Sequence, residues 1–349
     1  MNKSLKGVAI AAAAMVTVGI LLTGIGWMAG GNQPVYFDNK GIHVGERGNS
    51  DYGTLESFYQ NVDNFSSIDA DLDYYDVDLV PGDKFAVEGT FYSKDGKPDV
   101  KVADGTLIIR DKDRGRININ IDFPGLFNYD NQPRITIYYP KNTELKDLVL
   151  KCDASDLQYE NLVITGRADL ELDFGSLDIN GLSAKNVKVS MDSGSCTLKK
   201  IKADDLNVAN NMGKTTVEDA DLKTLKIDAD SGEISLTGVT ADQGELTADM
   251  GRINGKDMAT KGLKVDSSSG EVVLEGKLFG LTDIASDMGA VTVNPGAPKE
   301  QFNYELNTDM GSVSIGGDGF SGNVAMNNAS AKNTLKIKTD MGSIKVNFD

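Results

Sequence analysis

From Ala168 to Val293 apolar and polar positions alternate, break at a glycine, and then resume alternating. The glycines fall at Gly175, Gly194, Gly213, Gly232, Gly251, Gly270 and Gly289, each nineteen residues after the last. Five positions before each stands Leu170, Val189, Val208, Ile227, Leu246, Val265 or Ile284. Four positions after it stands Ile179, Leu198, Val217, Leu236, Gly255, Leu274 or Val293. Period-two alternation predicts β-strands with one buried face, and each glycine marks a turn. A unit this short cannot bury its apolar face alone, whereas stacked copies enclose a continuous core. The frame predicts an all-β parallel β-helix, or solenoid, with turns of nineteen residues. Its coil is right-handed if the crossovers follow the usual hand of parallel connections. Two later copies, at Gly311 and Gly342, keep the pattern at longer steps.

The charges support the same stack. Six positions before each glycine stand Asp169, Lys188, Asn207, Lys226, Glu245, Lys264 and Asp283, and from Lys226 onward the sign alternates at every step. In-register parallel strands would place these side chains in one outward ladder, where opposite neighbours help and like neighbours hurt.

The chain begins differently. Lys3 and Lys6 precede an uncharged run whose core, Val8 to Met28, has the length that spans a bilayer. The lysines before it and acids after it place residues 1–6 in the cytoplasm and residues 7–29 across the membrane as a single-pass signal anchor. The C-terminal domain then lies outside the cell. A cleaved signal peptide is the rival reading, because Met28-Ala29-Gly30-Gly31 contains small residues, although no clear A-x-A site is present. Residues 30–65 read as a polar, glycine-rich stalk. Residues 66–147 read as a leading β region, with strands around Ile68, Val77, Val87, Leu107, Ile117–Ile121 and Ile135 that lack the fixed frame. Terminal repeats must be atypical to cap a solenoid. Residues 148–349 carry the repeats, starting with Leu148, Leu150, Cys152, Leu157 and Tyr159 in equivalent slots. The last strand, Ser343 to Val346, lies near the end of the chain and is expected to present a free edge for homotypic contact.

The order of parts resembles a known family. Ser67-Ile68-Asp69-Ala70 leads through Asp76-Val77-Asp78-Leu79 to Gly82-Asp83-Lys84-Phe85. Ile135-Thr136-Ile137-Tyr138-Tyr139-Pro140-Lys141 then precedes repeats centred on Asp-x-Gly or Ser-Gly. This layout is similar to the bacterial putative-adhesin β-strand-repeat family, a domain of unknown function in envelope proteins, mostly of Gram-positive bacteria. The resemblance covers roughly Ser66 to Asp349. It implies a parallel β-helix outside the membrane, and ties some members to envelope stress and antimicrobial-peptide responses. It supplies no catalytic residues to carry over, and no metal ligands and no cofactor are expected.

Composition narrows the function. The net charge is −17, with no basic run after the first residues, which argues against nucleic acid as a partner. The one histidine, His43, stands apart from any cluster, which removes Ser-His and Cys-His catalysis and histidine metal sites. Cys152 and Cys196 occupy apolar slots two turns apart and read as buried free thiols rather than a disulfide.

Two columns remain. Two positions before the glycines stand Asp173, Asp192, Asp230, Asp249, Asp287, Asp309 and Asp340, interrupted by Asn211 and Ser268. A calcium ladder would use such acids, but Asn and Ser serve turn bonding as well as Asp does, so bonding to the turn's own backbone is the favoured reading. Immediately before the glycines, Ser193, Ser231 and Ser269 alternate with Met212, Met250 and Met288, and Met310, Met341 and Phe174 share the column. It reads as a gap-filling corner in which each Met covers a neighbouring Ser, or else as an adaptable apolar ridge for a partner. The uniform turns offer no loops to build a catalytic groove, so a glycan-cleaving β-helix ranks third. The first reading is a non-catalytic envelope binding or stress-sensing module, with cationic peptides or envelope proteins as partners. A surface adhesin or structural spacer is the alternative.

Overall fold

In the computed structural model, residues 53–112 and 133–349 are described in full, together with the backbone of strands at 35–38, 41–44 and 120–121. The expected anchor at 7–29 and stub at 1–6 lie outside the described residues, as does most of the strand expected at Ile117–Ile121. Among the described residues no helix is long and apolar enough to cross a membrane. The chain divides into two compact units, one of Met1–Leu55, Tyr92–Gly96 and Asp113–Asn131, the other of Glu56–Phe91, Lys97–Lys112 and Gln132–Asp349.

Ten strands precede the regular stack. They are β1 (Val35–Asp38), β2 (Gly41–Val44), β3 (Leu55–Asn61), β4 (Ser67–Leu72) and β5 (Asp76–Gly82), followed by β6 (Ala86–Tyr92), β7 (Asp99–Ala103), β8 (Thr106–Arg110), β9 (Asn120–Ile121) and β10 (Arg134–Pro140). In the first unit β1 pairs antiparallel with β2 and with β9. In the second unit β4 and β5 form one turn of the solenoid. On its outer side β8 pairs parallel with β4, and β10 pairs parallel with β5. Beyond these lie the antiparallel strands β7 and β6, with β3 on the outer edge of β6, and together they close the end. Only β4 is in ladder register with the first regular repeat; β5 and the residue just before it meet it through Ser155 Oγ donating to Tyr75 O at 2.6 Å and Tyr159 Oη donating to Val77 O at 2.9 Å.

The regular stack comprises β11 (Asp147–Val163), β12 (Arg167–Ser183), β13 (Asn186–Glu218), β14 (Asp221–Thr237) and β15 (Thr240–Met288), whose extended backbone continues around corners. All pair in parallel, with Gly175 on Gly194, Gly213 on Gly232 and Ile227 on Leu246, as the nineteen-residue frame requires. Lys226 lies opposite both Asn207 and Glu245, and its ammonium reaches the Glu245 carboxylate at 3.5 Å. The predicted ladder is therefore real.

Each turn has three sides. In one turn Val187, Val189 and Met191 point inward on the first side, Cys196 and Leu198 on the second, and Ile201 and Ala203 on the third. The framing glycines make the first corner, where adjacent backbones touch: a Cβ on Gly251 would lie 1.6 Å from the Gly232 carbonyl oxygen. Only glycine fits there. The second corner is held by Asn161, Gly181, Lys200, Asp219, Gly238, Asp257 and Gly276, all with positive φ. Asn, Asp and Gly tolerate that conformation best, so the column was written in the sequence, but its side chains vary too much to stand out as a repeat.

The far end corrects the expected free edge. It comprises β16 (Val291–Asn294), β17 (Phe302–Met310), β18 (Ser312–Ile315), β19 (Asp318–Ser321), β20 (Val324–Met326), β21 (Asn333–Met341) and β22 (Ile344–Val346). The last strands to appear in the chain are not the last in the stack. β21 pairs with β15 on one side and β17 on the other, and β22 lies between β16 and β18. The glycine column follows: Gly342 packs on Gly289, and Gly311 packs on Gly342. Both flanks of Ser343–Val346 are occupied because inserting this turn buries Leu335, Ile337, Ile344 and Val346 from both sides. β19 and β20 pair antiparallel with β18 and β17 and close this end as β6 and β7 close the other.

Candidate binding surfaces

The corner column stands out from the solenoid. In stack order it reads Phe174, Ser193, Met212, Ser231, Met250, Ser269, Met288, Met341, Met310, with Met341 in register with both Met288 and Met310. The Met side chains do not lie down over their neighbours. Met250 is 61% exposed, Met310 66% and Phe174 55%, whereas Met191 and Met258 in the core are each 2% exposed. Since strands stack about 4.8 Å apart, the alternating Met residues recur every ~9.6 Å. The result is an exposed apolar ridge, the second of the two readings of this column.

One residue earlier in every turn runs the acidic column, so each ridge side chain has a carboxylate or its polar substitute beside it in the chain. The side-chain bonds of this column join neighbouring turns. Asn211 Nδ2 donates to Asp192 Oδ1 at 3.1 Å, and Ser268 Oγ donates to Asp249 Oδ1 at 3.4 Å. Asn211 and Ser268 thus supply donors that divide the acids into the groups Asp173–Asp192, Asp230–Asp249 and Asp287–Asp340–Asp309. Burial, then the charges of Asp192 and Glu171, raise the Asp173 carboxyl above the ordinary aspartate range. Among the described residues no group of three or more His, Cys, Asp or Glu side chains is arranged to hold a metal.

A second feature was not expected. Uniform turns predict no groove, yet the third side carries an open one of about 640 Å³. It exists because that side is floored largely by small residues, Ala184, Ala203, Ala241 and Thr260, with Leu222 between them. Large inward side chains would have pushed the backbone outward and filled it. Along one wall Lys223 pairs with Asp204 at 2.8 Å and Lys261 with Asp242 at 2.6 Å. The sequence signal for this groove was the small-residue column Ala184, Ala203, Ala241, which the glycine frame overshadowed.

Cys152 and Cys196 are both buried free thiols, and burial pushes each up to about 12. Neither is activated as a nucleophile or a redox centre.

Comparison with known proteins identifies the type of domain. The Toastrack DUF4097 family profile matches residues 65–347. No curated protein matches the chain. Among solved structures, a "putative lipid binding protein" from Parabacteroides distasonis is 17% identical, with 85% of this chain and 97% of that chain covered and a TM-score of 0.43. A "putative adhesin" from Bacteroides fragilis is 14% identical over 84% of this chain and 97% of that one, with a TM-score of 0.34. A "putative adhesin" from Parabacteroides merdae is 12% identical over 85% and 97%, with a TM-score of 0.35.

Proposed function

The chain belongs to the Toastrack DUF4097 family, and from that premise we propose that it is a non-catalytic binding and stress-sensing module of the cell envelope. Its working surface is the ridge of Phe174, Met212, Met250, Met288, Met341 and Met310. The single observation that carries this reading is the exposure of these side chains in one line beside a line of acids. Thioether side chains are flexible and polarisable, so a ridge of them adapts to partners of differing shape. The neighbouring aspartates and a net charge of −17 favour a cationic, amphipathic peptide or protein segment. Lys3, Lys6 and the apolar run Val8–Met28 support a single-pass anchor with the solenoid outside. The adhesin or spacer reading draws on a different observation, the unbroken nineteen-residue register from Arg167 to Asn294, which suits a stiff support.

The test uses the full chain in lipid nanodiscs and a cationic amphipathic peptide, titrated at low and at physiological salt. Saturable binding that persists at physiological salt, and weakens roughly tenfold in a Met212→Ser, Met250→Ser double variant, is the expected outcome. Binding that disappears with salt reports bulk charge alone, because exposed charges are screened beyond about 8 Å under those conditions. That result would move the assignment to the spacer.

A further inference from the structure

We propose that the groove on the third side is a second binding site, separate from the ridge, for a linear glycan that carries an acidic group on alternate sugars. Four observations converge on it. The volume, about 640 Å³, falls within the usual range of ligand sites. The wall presents Asp204, Lys223, Asp242 and Lys261 on successive turns, so its two lysines stand two turns, about 9.6 Å, apart. An extended β-linked glycan advances by close to this distance per disaccharide, which brings one carboxylate of a uronic-acid polymer to each lysine. Asp204 and Asp242, between the lysines, accept from the hydroxyl and amide groups of the intervening sugars.

The local charge agrees. Lys202, Lys223, Lys261 and Lys277 line the groove against Asp204, Asp221 and Asp242, an excess of cations in a chain whose net charge is −17. The existing Lys223–Asp204 and Lys261–Asp242 pairs are between well-exposed side chains, and pairs of that kind are weak enough to exchange a partner. Half-buried Phe279 ends the lining with an aromatic side chain of the kind on which sugar rings stack.

The experiment is calorimetric titration of the full chain in nanodiscs with a hexasaccharide of alternating uronic acid and N-acetylhexosamine. A neutral N-acetylglucosamine hexamer and a polyphosphate of matched charge serve as probes of shape without charge and charge without shape. The proposal expects saturable binding of the acidic hexasaccharide at physiological salt, at least roughly tenfold tighter than either probe. A Lys223→Glu, Lys261→Glu variant weakens it by roughly the same factor, and Met250→Ser leaves it unchanged. Both lysines are exposed, and a melting curve checks that the variant is folded. If it is not, the wild-type ranking of the three ligands decides alone. Absence of saturation, equal binding of the neutral hexamer, or equal binding of polyphosphate would each overturn the site. Because the ridge variant is measured in parallel, failure here and failure of the peptide-binding reading remain distinguishable.

Discussion

The middle of the solenoid and its two ends bury the same kind of apolar face in different ways. Between Arg167 and Asn294 each turn rests on the one just before it in the chain, and contacts nineteen residues apart repeat. At both ends one turn sits out of chain order, an earlier segment between two later ones at the start and a later segment between two earlier ones at the far end. Ser67 pairs with Asp147 on one flank and Thr106 on the other, while β21 enters between β15 and β17. Outermost at each end is an antiparallel hairpin arm. A parallel stack that stopped in chain order would expose a full row of unpaired backbone groups, an invitation to edge pairing. Closing longer loops costs entropy that grows only slowly with length, so long-range insertion is an inexpensive way to seal an edge.

Removing the inserted turn should have the largest effect. A chain ending at Lys332 loses the buried side chains of Leu335, Ile337, Ile344 and Val346, each worth about 1.5–3 kcal/mol, or ~6–12 kcal/mol together. Hydrogen exchange should show protection lost at 302–321 and retained at 187–274. Retained protection at 302–321 would mean that β17 and β18 can simply close onto β15 and β16, and that the order of the end is not fixed by packing.

A smaller effect separates corner from cap. Gly251→Ala places a Cβ 1.6 Å from the Gly232 carbonyl oxygen at a φ of +149°, and should destabilise on the order of 3 kcal/mol or more. Gly319→Ala in β19, where nothing lies within 4 Å of an added Cβ, should change stability by less than about 0.5 kcal/mol. Equal effects in urea unfolding would deny that the middle is the tighter region.

Charge reversal probes the insertion itself. Lys336 lies between Asp283 and Glu305, so Lys336→Glu sets three acids in a row and should destabilise by about 1 kcal/mol at low salt, less at high salt. A salt-independent change would point to packing instead.

The smallest effect concerns pH at the other end. Burial, partly offset by the Asp156 N–H and the Arg134 guanidinium, raises the Asp76 carboxyl above 3.8. The folded state therefore holds this proton more tightly than the unfolded state. The group's contribution to stability is complete below 3.8 and is lost as pH rises through the raised folded value. Asp76→Asn should flatten the stability profile across that window, measured by denaturant midpoints. An unchanged slope would place the pH dependence elsewhere.

Much of the molecule was legible beforehand, and particular residues show why. Gly175 to Gly289 fixed the frame because a backbone contact with no room for Cβ admits only one residue type, which makes the column visible. Met212, Met250 and Met288 were legible as a column but not as a ridge, since alternation alone cannot tell a side chain lying flat from one standing out. The ladder residues Asp283, Glu305 and Lys336 held a readable hint of the far end. In chain order two acids would meet, and only insertion of Lys336 between them continues the alternation.

By itself the sequence determined the repeat, its strands, the positions facing the core and the acidic surface, because each follows from a period or a sum along the chain. The tertiary structure alone decided which strand lies beside which at the ends, and that the third side is hollow. Those outcomes depend on burying an edge and on the volume left between turns. Both involve residues far apart in sequence, such as Ser67 with Asp147 and Gly289 with Gly342, whose meeting no local pattern encodes.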